Sequence, residues 1–463
     1  MKTKFAFNTL VMIYAVVVAV AAGTWLLPGG EYQRVEADGR TLVIANSFQP
    51  GLTVPQGPAA VLMAPIKGFV KSVDILVFLF VIGGTFMVIE KTGALASGLK
   101  RLASFFARKP ELRIFFIPVT VVIFSIAGSV FGMCEETMPF VLIFIPLALA
   151  LGYDSLVGTA IPFLGAAAGF AGSTLNPFIV GIAQRIAELP PRSGLEYRLL
   201  IWVISTTCMT AFIMMYAARI RKDPAKSPVF ELDKLRKHDL HLDADKLEPF
   251  LWKHKLVLLV FGLSIVALVF GVMKYEWFIQ EIAALFFALA ITAGLLGRLS
   301  MDELTEAFKE GARGMMGVAL IIACAKGTLV IATDGKILDS MLHGMASVIS
   351  GLHPILAAQA MFVAQGTLNF FVHSGSGQAA LTMPVMAPLT DVLGLTRQTA
   401  VLAFQFGEGW INPVLPTSGV TMGVLGLAGI PWNVWFKWML PAQIFFFILA
   451  LLLLIPPVIF HLQ

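Results

Sequence analysis

Three glutamates stand where a strongly apolar chain can least accommodate them. Glu135 and Glu136 lie in Gly132-Met133-Cys134-Glu135-Glu136-Thr137, and Glu408 lies in Gly407-Glu408-Gly409-Trp410-Ile411-Asn412-Pro413. Both segments interrupt long uncharged runs. A carboxylate at membrane depth is costly unless it is paired, protonated or in a watery cavity, and it is functional by default. Two further polar interruptions are Gly172-Ser173-Thr174-Leu175-Asn176-Pro177 and His373-Ser374-Gly375-Ser376-Gly377-Gln378, and the Glu408 segment continues into Pro416-Thr417-Ser418-Gly419. Glycine lets backbone approach a ligand, and proline frees a carbonyl from the helical ladder. Freed carbonyls coordinate cations, helix N-termini attract anionic groups, and hydroxyls and amides supply directional bonds. The candidate substrate- or ion-binding residues are therefore Glu135, Glu136, Thr137, Ser173, Thr174, Asn176, His373, Ser374, Ser376, Gln378, Glu408, Asn412, Thr417 and Ser418. None of them has a catalytic or metal-ligating pattern.

Each feature also has a plainer reading. Gly-Ser pairs and prolines in membrane helices serve packing and kinks, His373 suits a satisfied structural imidazole, and Trp410 a packing residue. Four interruptions at matching places weigh against that reading. Neither tip nor break contains a lysine or arginine, and Lys326 is a single intramembrane cation elsewhere that can pair with one acid. Excess acid points to a cationic substrate, a bound Na+, or proton coupling, whereas a dicarboxylate site would more naturally hold arginine. No cofactor is expected beyond a coupling ion, Na+ or H+.

The elements that hold these residues must be membrane helices. The chain has 463 residues, of which 58% are hydrophobic and 13% charged, well under the roughly 25% charged residues of a soluble domain. Leu10–Leu27, Leu199–Ala218, Leu256–Val272, Ile282–Leu296 and Ile444–Phe460 are nearly uncharged, and about 20 such residues span the hydrocarbon. The net charge of +5 is concentrated in Arg219–Lys255, which suits a cytoplasmic loop better than a nucleic-acid face. Cys134, Cys208 and Cys324 fall in apolar segments at unrelated spacings, so neither a disulfide framework nor a zinc site follows. Residues 1–27 read as a retained first helix and not as a cleaved signal peptide.

Placing Lys2 and Lys4 in the cytoplasm leaves 28–58 outside and puts the basic stretch Lys91, Lys100, Arg101, Arg108, Lys109 and Arg113 inside. Lys67 and Lys71 then fall on the outer side, against the trend. The odd number of crossings required between 114 and 197 suits a re-entrant hairpin over 114–152 followed by a broken helix over 155–188. Short matches then recur in order in the second half, roughly 240 residues on. Gly84-Thr85 returns as Gly327-Thr328, Thr137-Met138-Pro139 as Thr382-Met383-Pro384, Leu151-Gly152 as Leu393-Gly394, and Asn176-Pro177 as Asn412-Pro413. Charge topology runs the two halves in opposite directions. The expected architecture is an all-α polytopic membrane protein of two inverted repeats, each with a re-entrant hairpin and a broken helix. The first repeat covers 1–220, with a helix over 199–218. A cytoplasmic loop covers 221–255, and 256–463 holds a linking helix and the second repeat, with its hairpin at 354–395 and broken helix at 397–430. Inverted repeats with broken helices at matching positions point to an alternating-access carrier with a midplane site.

Taken together, Gly132–Pro139, Gly172–Phe178, His373–Pro384 and Gly407–Gly419 resemble the YfcC family, related to ArcD-type basic amino-acid antiporters and DcuC-type dicarboxylate carriers. The resemblance covers nearly the whole chain. It implies an ion-transporter-superfamily fold of elevator type, a homodimer, and an inner-membrane location. Related carriers place Ser-Asn-Thr at each tip for Na+; the tips here read Cys-Glu-Glu-Thr and Ser-Gly-Ser-Gly-Gln, so that sodium site does not transfer. The functional expectation is a non-enzymatic secondary transporter, symporter or exchanger, of a small solute, foremost a basic amino acid. The alternatives are a C4-dicarboxylate carrier and, more remotely, a membrane-embedded enzyme, for which no H-E-x-x-H or G-x-S-x-G motif stands in a catalytic context. The partners expected are that solute and the lipid bilayer, with no nucleic acid.

Overall fold

A computed structural model describes residues 9–37, 40–44, 46–98, 101, 110–190, 192–239, 251–275 and 277–462. Lys2 and Lys4, the basic residues Lys100, Arg108 and Lys109, and the 240–250 part of the expected cytoplasmic loop lie outside them. Helix α1 (Thr9–Leu26) is followed by β1 (Gly30–Glu31), β2 (Arg34–Ala37), β3 (Arg40–Val43) and β4 (Gln49–Pro50). Next come α2 (Pro58–Lys71) and α3 (Val73–Lys91), then a hairpin of α4 (Pro110–Ile126), a π-helical turn (Ala127–Phe131) and α5 (Thr137–Ala150). A broken helix, α6 (Ser155–Ala171) and α7 (Val180–Ile186), leads to α8 (Leu195–Lys222), α9 (Phe230–Asp239), α10 (Trp252–Tyr275) and α11 (Ile279–Leu296). The second half runs α12 (Met301–Gly314), α13 (Met316–Asp334), α14 (Ile337–Ser350), the hairpin α15 (Pro354–Asn369) and α16 (Gly375–Val392), and the broken helix α17 (Arg397–Gly409) and α18 (Gly419–Leu427). It ends with α19 (Trp432–Leu453) and α20 (Ile455–Ile459).

Among the described residues, 7 helical stretches are long and apolar enough to cross a membrane, so the chain is a multi-pass membrane protein. Their burial sorts them. The apolar windows of α13 and α3 are 61% and 56% buried, against 22% for α10. The first two form the centre and α10 faces lipid, since hydrocarbon accepts exposed leucine and valine at no cost.

The order hairpin, broken helix, long helix occurs twice. The preceding elements also correspond: α2 and α12 each have 14 residues, and α3 and α13 each have 19. Packing exchanges these partners. Helix α2 lies against α13, and α12 lies against α3. Glycine permits both contacts. A methyl group on Gly68 would overlap the carbonyl of Ala323 and come within 2.7 Å of the Gly327 nitrogen, and one on Gly311 would overlap the carbonyl of Gly83. Gly68 meeting Gly327 and Gly311 meeting Gly83–Gly84 is one contact made twice, as a two-fold relation requires.

The structure departs from the all-helical expectation in the 28–57 segment. There β1 pairs with β4 and β2 with β3, both antiparallel. This polar stretch lies outside the hydrocarbon, where sheet edges are tolerated. The second repeat holds it down: Asp339 accepts hydrogen bonds from the Tyr32 amide at 2.8 Å and from Arg34 at 2.9 Å. Burial, and then the Asp339 charge, push the Tyr32 hydroxyl up to about 12. The expected loop 221–255 is also more ordered than a loop. Helix α8 continues to Lys222, α9 occupies 230–239 with Glu231 and Asp233 in its first turn, and α10 begins at Trp252. Acidic residues there complement the helix dipole. Helix α12 starts with a capping box. Ser300 accepts from the Glu303 amide at 3.2 Å and Glu303 accepts from the Ser300 amide at 2.8 Å, which holds the Glu303 carboxyl below its ordinary range.

The exchanged contact predicts that Gly68→Val and Gly311→Val each destabilise the protein by about 1–3 kcal/mol, the usual cost of overpacking. Gly262→Val, which meets nothing within 4 Å, should leave the melting temperature in detergent unchanged. Equal melting temperatures for all three variants would refute the close approach.

Candidate functional site

The first tip forms where the apolar run of α4 loses its ladder. The π-helical turn over Ala127–Phe131 ends at Gly132, whose φ of 74° is left-handed and suits glycine. A methyl group there would stand 2.6 Å from the Asn176 Oδ1. The break between α6 and α7 therefore seats directly on the tip. Asn176 Oδ1 accepts from the Phe178 and Ile179 amides at 2.9 and 3.2 Å, starting α7. Thr174 donates its amide to the Ser129 carbonyl at 3.0 Å, and its hydroxyl lies 3.0 Å from that of Ser129. Ser173 donates to the Phe170 carbonyl at 2.6 Å. At the tip itself, Glu136 accepts from the Cys134 amide at 2.9 Å and Thr137 donates to the Cys134 carbonyl at 2.6 Å.

The second tip and break are built on amides. Gln378 donates to the carbonyl and the side-chain oxygen of Gln365, both at 2.8 Å, and Gln365 donates to Thr382 at 3.0 Å. Asn369 donates to the carbonyls of Gly407 and Glu408 at 3.3 and 3.4 Å, taking up groups that the end of α17 leaves free. Ser374 caps α16 by accepting from the Gly377 amide at 3.3 Å. Ser418 caps α18 by accepting from Thr421 at 3.3 Å, and Thr421 donates to the Asn412 carbonyl at 2.8 Å. His373 Nε2 and the Thr417 hydroxyl are 2.6 Å apart. Where the two broken helices cross, Gly409 abuts Ala171 and Gln405 donates to the Ala171 carbonyl at 2.6 Å.

Tips and breaks enclose a cavity of about 270 Å³. Of the sequence-derived candidates, Glu135, Glu136, His373, Ser374, Ser376, Glu408, Thr417 and Ser418 line it. Thr137 and Asn412 line a neighbouring void of about 20 Å³, room for about one water. Ser173, Thr174, Asn176 and Gln378 line neither; they are fully or almost fully buried and occupied in holding the tips. Glu408 is 1% exposed. Its Oε1 accepts from Asn412 at 3.4 Å, and its Oε2 has no hydrogen-bond partner among the described residues. A buried carboxylate oxygen without a donor calls for a proton, a cation or a ligand donor.

The cavity also takes in Lys71, Asp74 and Lys326. Lys326 was already conspicuous as an intramembrane cation, but nothing in its spacing from the tips announces that it shares their cavity. Lys71 sits at the end of α2, and in the sequence it stands out only as a basic residue on the outer side, against the trend. The supporting amides Gln365, Asn369 and Gln405 lay unrecognised among the polar residues of α15 and α17. Their only sequence signal was amide side chains inside apolar helices.

The chain matches the model of the family described as DcuC, C4-dicarboxylate anaerobic carrier, over residues 7–458. It is 36% identical, over 93% of its length and 92% of the relative's, to an Escherichia coli (strain K12) protein named "Putative basic amino acid antiporter YfcC". It is 30% identical, over 95% of both chains, to an uncharacterized protein of Haemophilus influenzae. Among solved structures, the YdaH transporter of Alcanivorax borkumensis aligns over 96% of this chain and 97% of that one, at 16% identity and a TM-score of 0.41. Similarity at that level decides nothing about the site.

Replacing Asn176 by alanine removes the acceptor that starts α7 and strands buried donors, at a cost of about 1–3 kcal/mol each. Asn176→Ala should lower the melting temperature and speed alkylation of Cys134 at the loosened tip, measured with Cys208 and Cys324 replaced by alanine. Unchanged alkylation would mean that the break does not brace the tip.

Proposed function

The chain belongs to the family of C4-dicarboxylate anaerobic carriers, within it to the YfcC proteins, and from that premise we propose a secondary active transporter of a basic amino acid. That it is a membrane transporter follows from the family and from its multi-pass fold. The narrower reading rests chiefly on one observation. The cavity between tips and breaks carries the carboxylates of Asp74, Glu135, Glu136 and Glu408 against the ammonium groups of Lys71 and Lys326. A cationic solute neutralises that excess, whereas a dicarboxylate adds to it. The name of the Escherichia coli relative agrees. Alternating access would exchange the cavity between the two sides, with Na+ or H+ as coupling ion in symport or exchange. An inner-membrane location with a cytoplasmic N-terminus, and a homodimer, belong to the same proposal and rest on charge distribution and on family resemblance.

The family description supports the second reading, a C4-dicarboxylate carrier, and the two lysines in the cavity are the residues that would serve it.

Reconstituted into proteoliposomes, the protein should take up labelled arginine or ornithine in preference to succinate. Glu135→Gln and Glu408→Gln keep shape and remove charge, and each should weaken apparent arginine affinity about 10- to 100-fold, the value of a charge-assisted bond. Succinate uptake without arginine uptake, or arginine uptake unaltered in both variants, would overturn the basic amino-acid reading.

A further inference from the structure

The acids of the cavity leave two of its charged residues without a task. Lys71 ends α2 and Lys326 lies within α13, and both line the cavity that Glu135, Glu136 and Glu408 line. Other lysines of the same region are paired. Lys67 of α2 lies 2.6 Å from Asp334, and Lys336 lies 2.9 Å from Glu31. Lys326 is half-buried and feels the Glu135 carboxylate across the cavity, but neither it nor Lys71 forms a hydrogen bond or an ion pair among the described residues. Asp74, another acid of the cavity, is already engaged by Gln280 at 3.0 Å.

An ammonium group inside a membrane protein is expensive unless an anion or water meets it. The cavity therefore has two open demands, a donor for Glu408 Oε2 and an anion in direct contact with Lys326. They come from different parts of the fold, the acids from tips and breaks and the lysines from the exchanged pair of helices α2 and α13. A diamine would answer only the first demand and a dicarboxylate only the second. A solute bearing both an ammonium or guanidinium group and a carboxylate answers both.

We propose that Lys326, together with Lys71, reads the substrate's carboxylate, so that the carrier selects an intact basic amino acid over the amine left by its decarboxylation. This rests on the cationic-substrate reading above and adds to it a second, anionic requirement. It also makes the ligand a bridge between the hairpin elements and the α2–α13 pair.

The test compares arginine with agmatine, which is arginine without its carboxylate, by calorimetry on the full-length protein in detergent, with succinate as a third probe. The wild type should bind arginine at least about tenfold tighter than agmatine. Lys326→Gln should lose about 10- to 100-fold in arginine affinity while agmatine affinity holds or rises, because removing a cation removes repulsion of the dication. Lys71→Gln, at an exposed position, should shift the ratio in the same direction and serves if the Lys326 variant does not fold. Equal wild-type affinities for arginine and agmatine, or parallel loss of both in the variants, would overturn the carboxylate subsite and leave the cationic-substrate reading standing. Succinate binding without arginine binding would remove that reading and this inference with it.

Discussion

Inside hydrocarbon a backbone amide or carbonyl has no water to fall back on, so each interruption of a helix must be answered by protein. This chain interrupts its helices at two tips and two breaks, and the architecture follows from how they are answered. In the first repeat the break answers the tip: Thr174 bonds the Ser129 carbonyl, and Asn176 fits against Gly132 while starting α7. In the second repeat Asn369 of α15 answers carbonyls at the end of α17, and Gln365 and Gln378 lock the hairpin together. Between repeats, Gln405 answers the last carbonyl of α6. Once these bonds are made, Glu408 Oε2 at the second break is left without a hydrogen-bond partner among the described residues.

The exchanged packing of α2 on α13 and α12 on α3 sets the frame around that site. Glycines at 68, 83, 311 and 327 bring the backbones together, and dispersion between close helices replaces the hydrophobic drive that lipid does not supply. The same pair of helices brings Lys71 and Lys326 to the cavity. Frame and site are thus joined through charge as well as through packing. At the rim, Arg397 of the second repeat donates to Glu188 of the first at 2.6 Å and to Asp391 at 2.8 Å, hydrogen bonds that raise its pKa, Asp391 first. That exposed link registers the two halves more than it stabilises them.

The cavity's charge is more balanced than its acids alone suggest. Three glutamates at the tips and breaks point to a cationic substrate, a bound Na+ or proton coupling, whereas the folded cavity also contains two lysines and a fourth carboxylate. Glu136 is partly satisfied by the Cys134 amide and Asp74 by Gln280, while the buried Oε2 of Glu408 has no partner among the described residues. A ligand with charges of both signs fits this inventory better than one with a single sign.

Much of this was legible in the sequence, because the membrane imposes strict rules on composition. Runs of about 20 apolar residues read as spans, and carboxylates beside clustered glycine and proline within them read as interruptions. Four in-order matches pointed to the repeat, and the residue types at Glu135, His373 and Glu408 pointed to residues that line one cavity. Two things were not legible. One is the division of labour among the candidates. Ser173, Thr174, Asn176 and Gln378 have the same side-chain chemistry as Ser374 or Thr417, yet they turn inward to brace the tips, and only the positions of neighbouring backbone groups decide that. The other is the arrival of Lys71 and Lys326 in a cavity whose glutamates lie dozens to hundreds of residues away along the chain. Local sequence determined which residues were too polar to face lipid. Tertiary packing decided which of them met, because a buried charge is settled by its nearest partners in space and not by its neighbours along the chain.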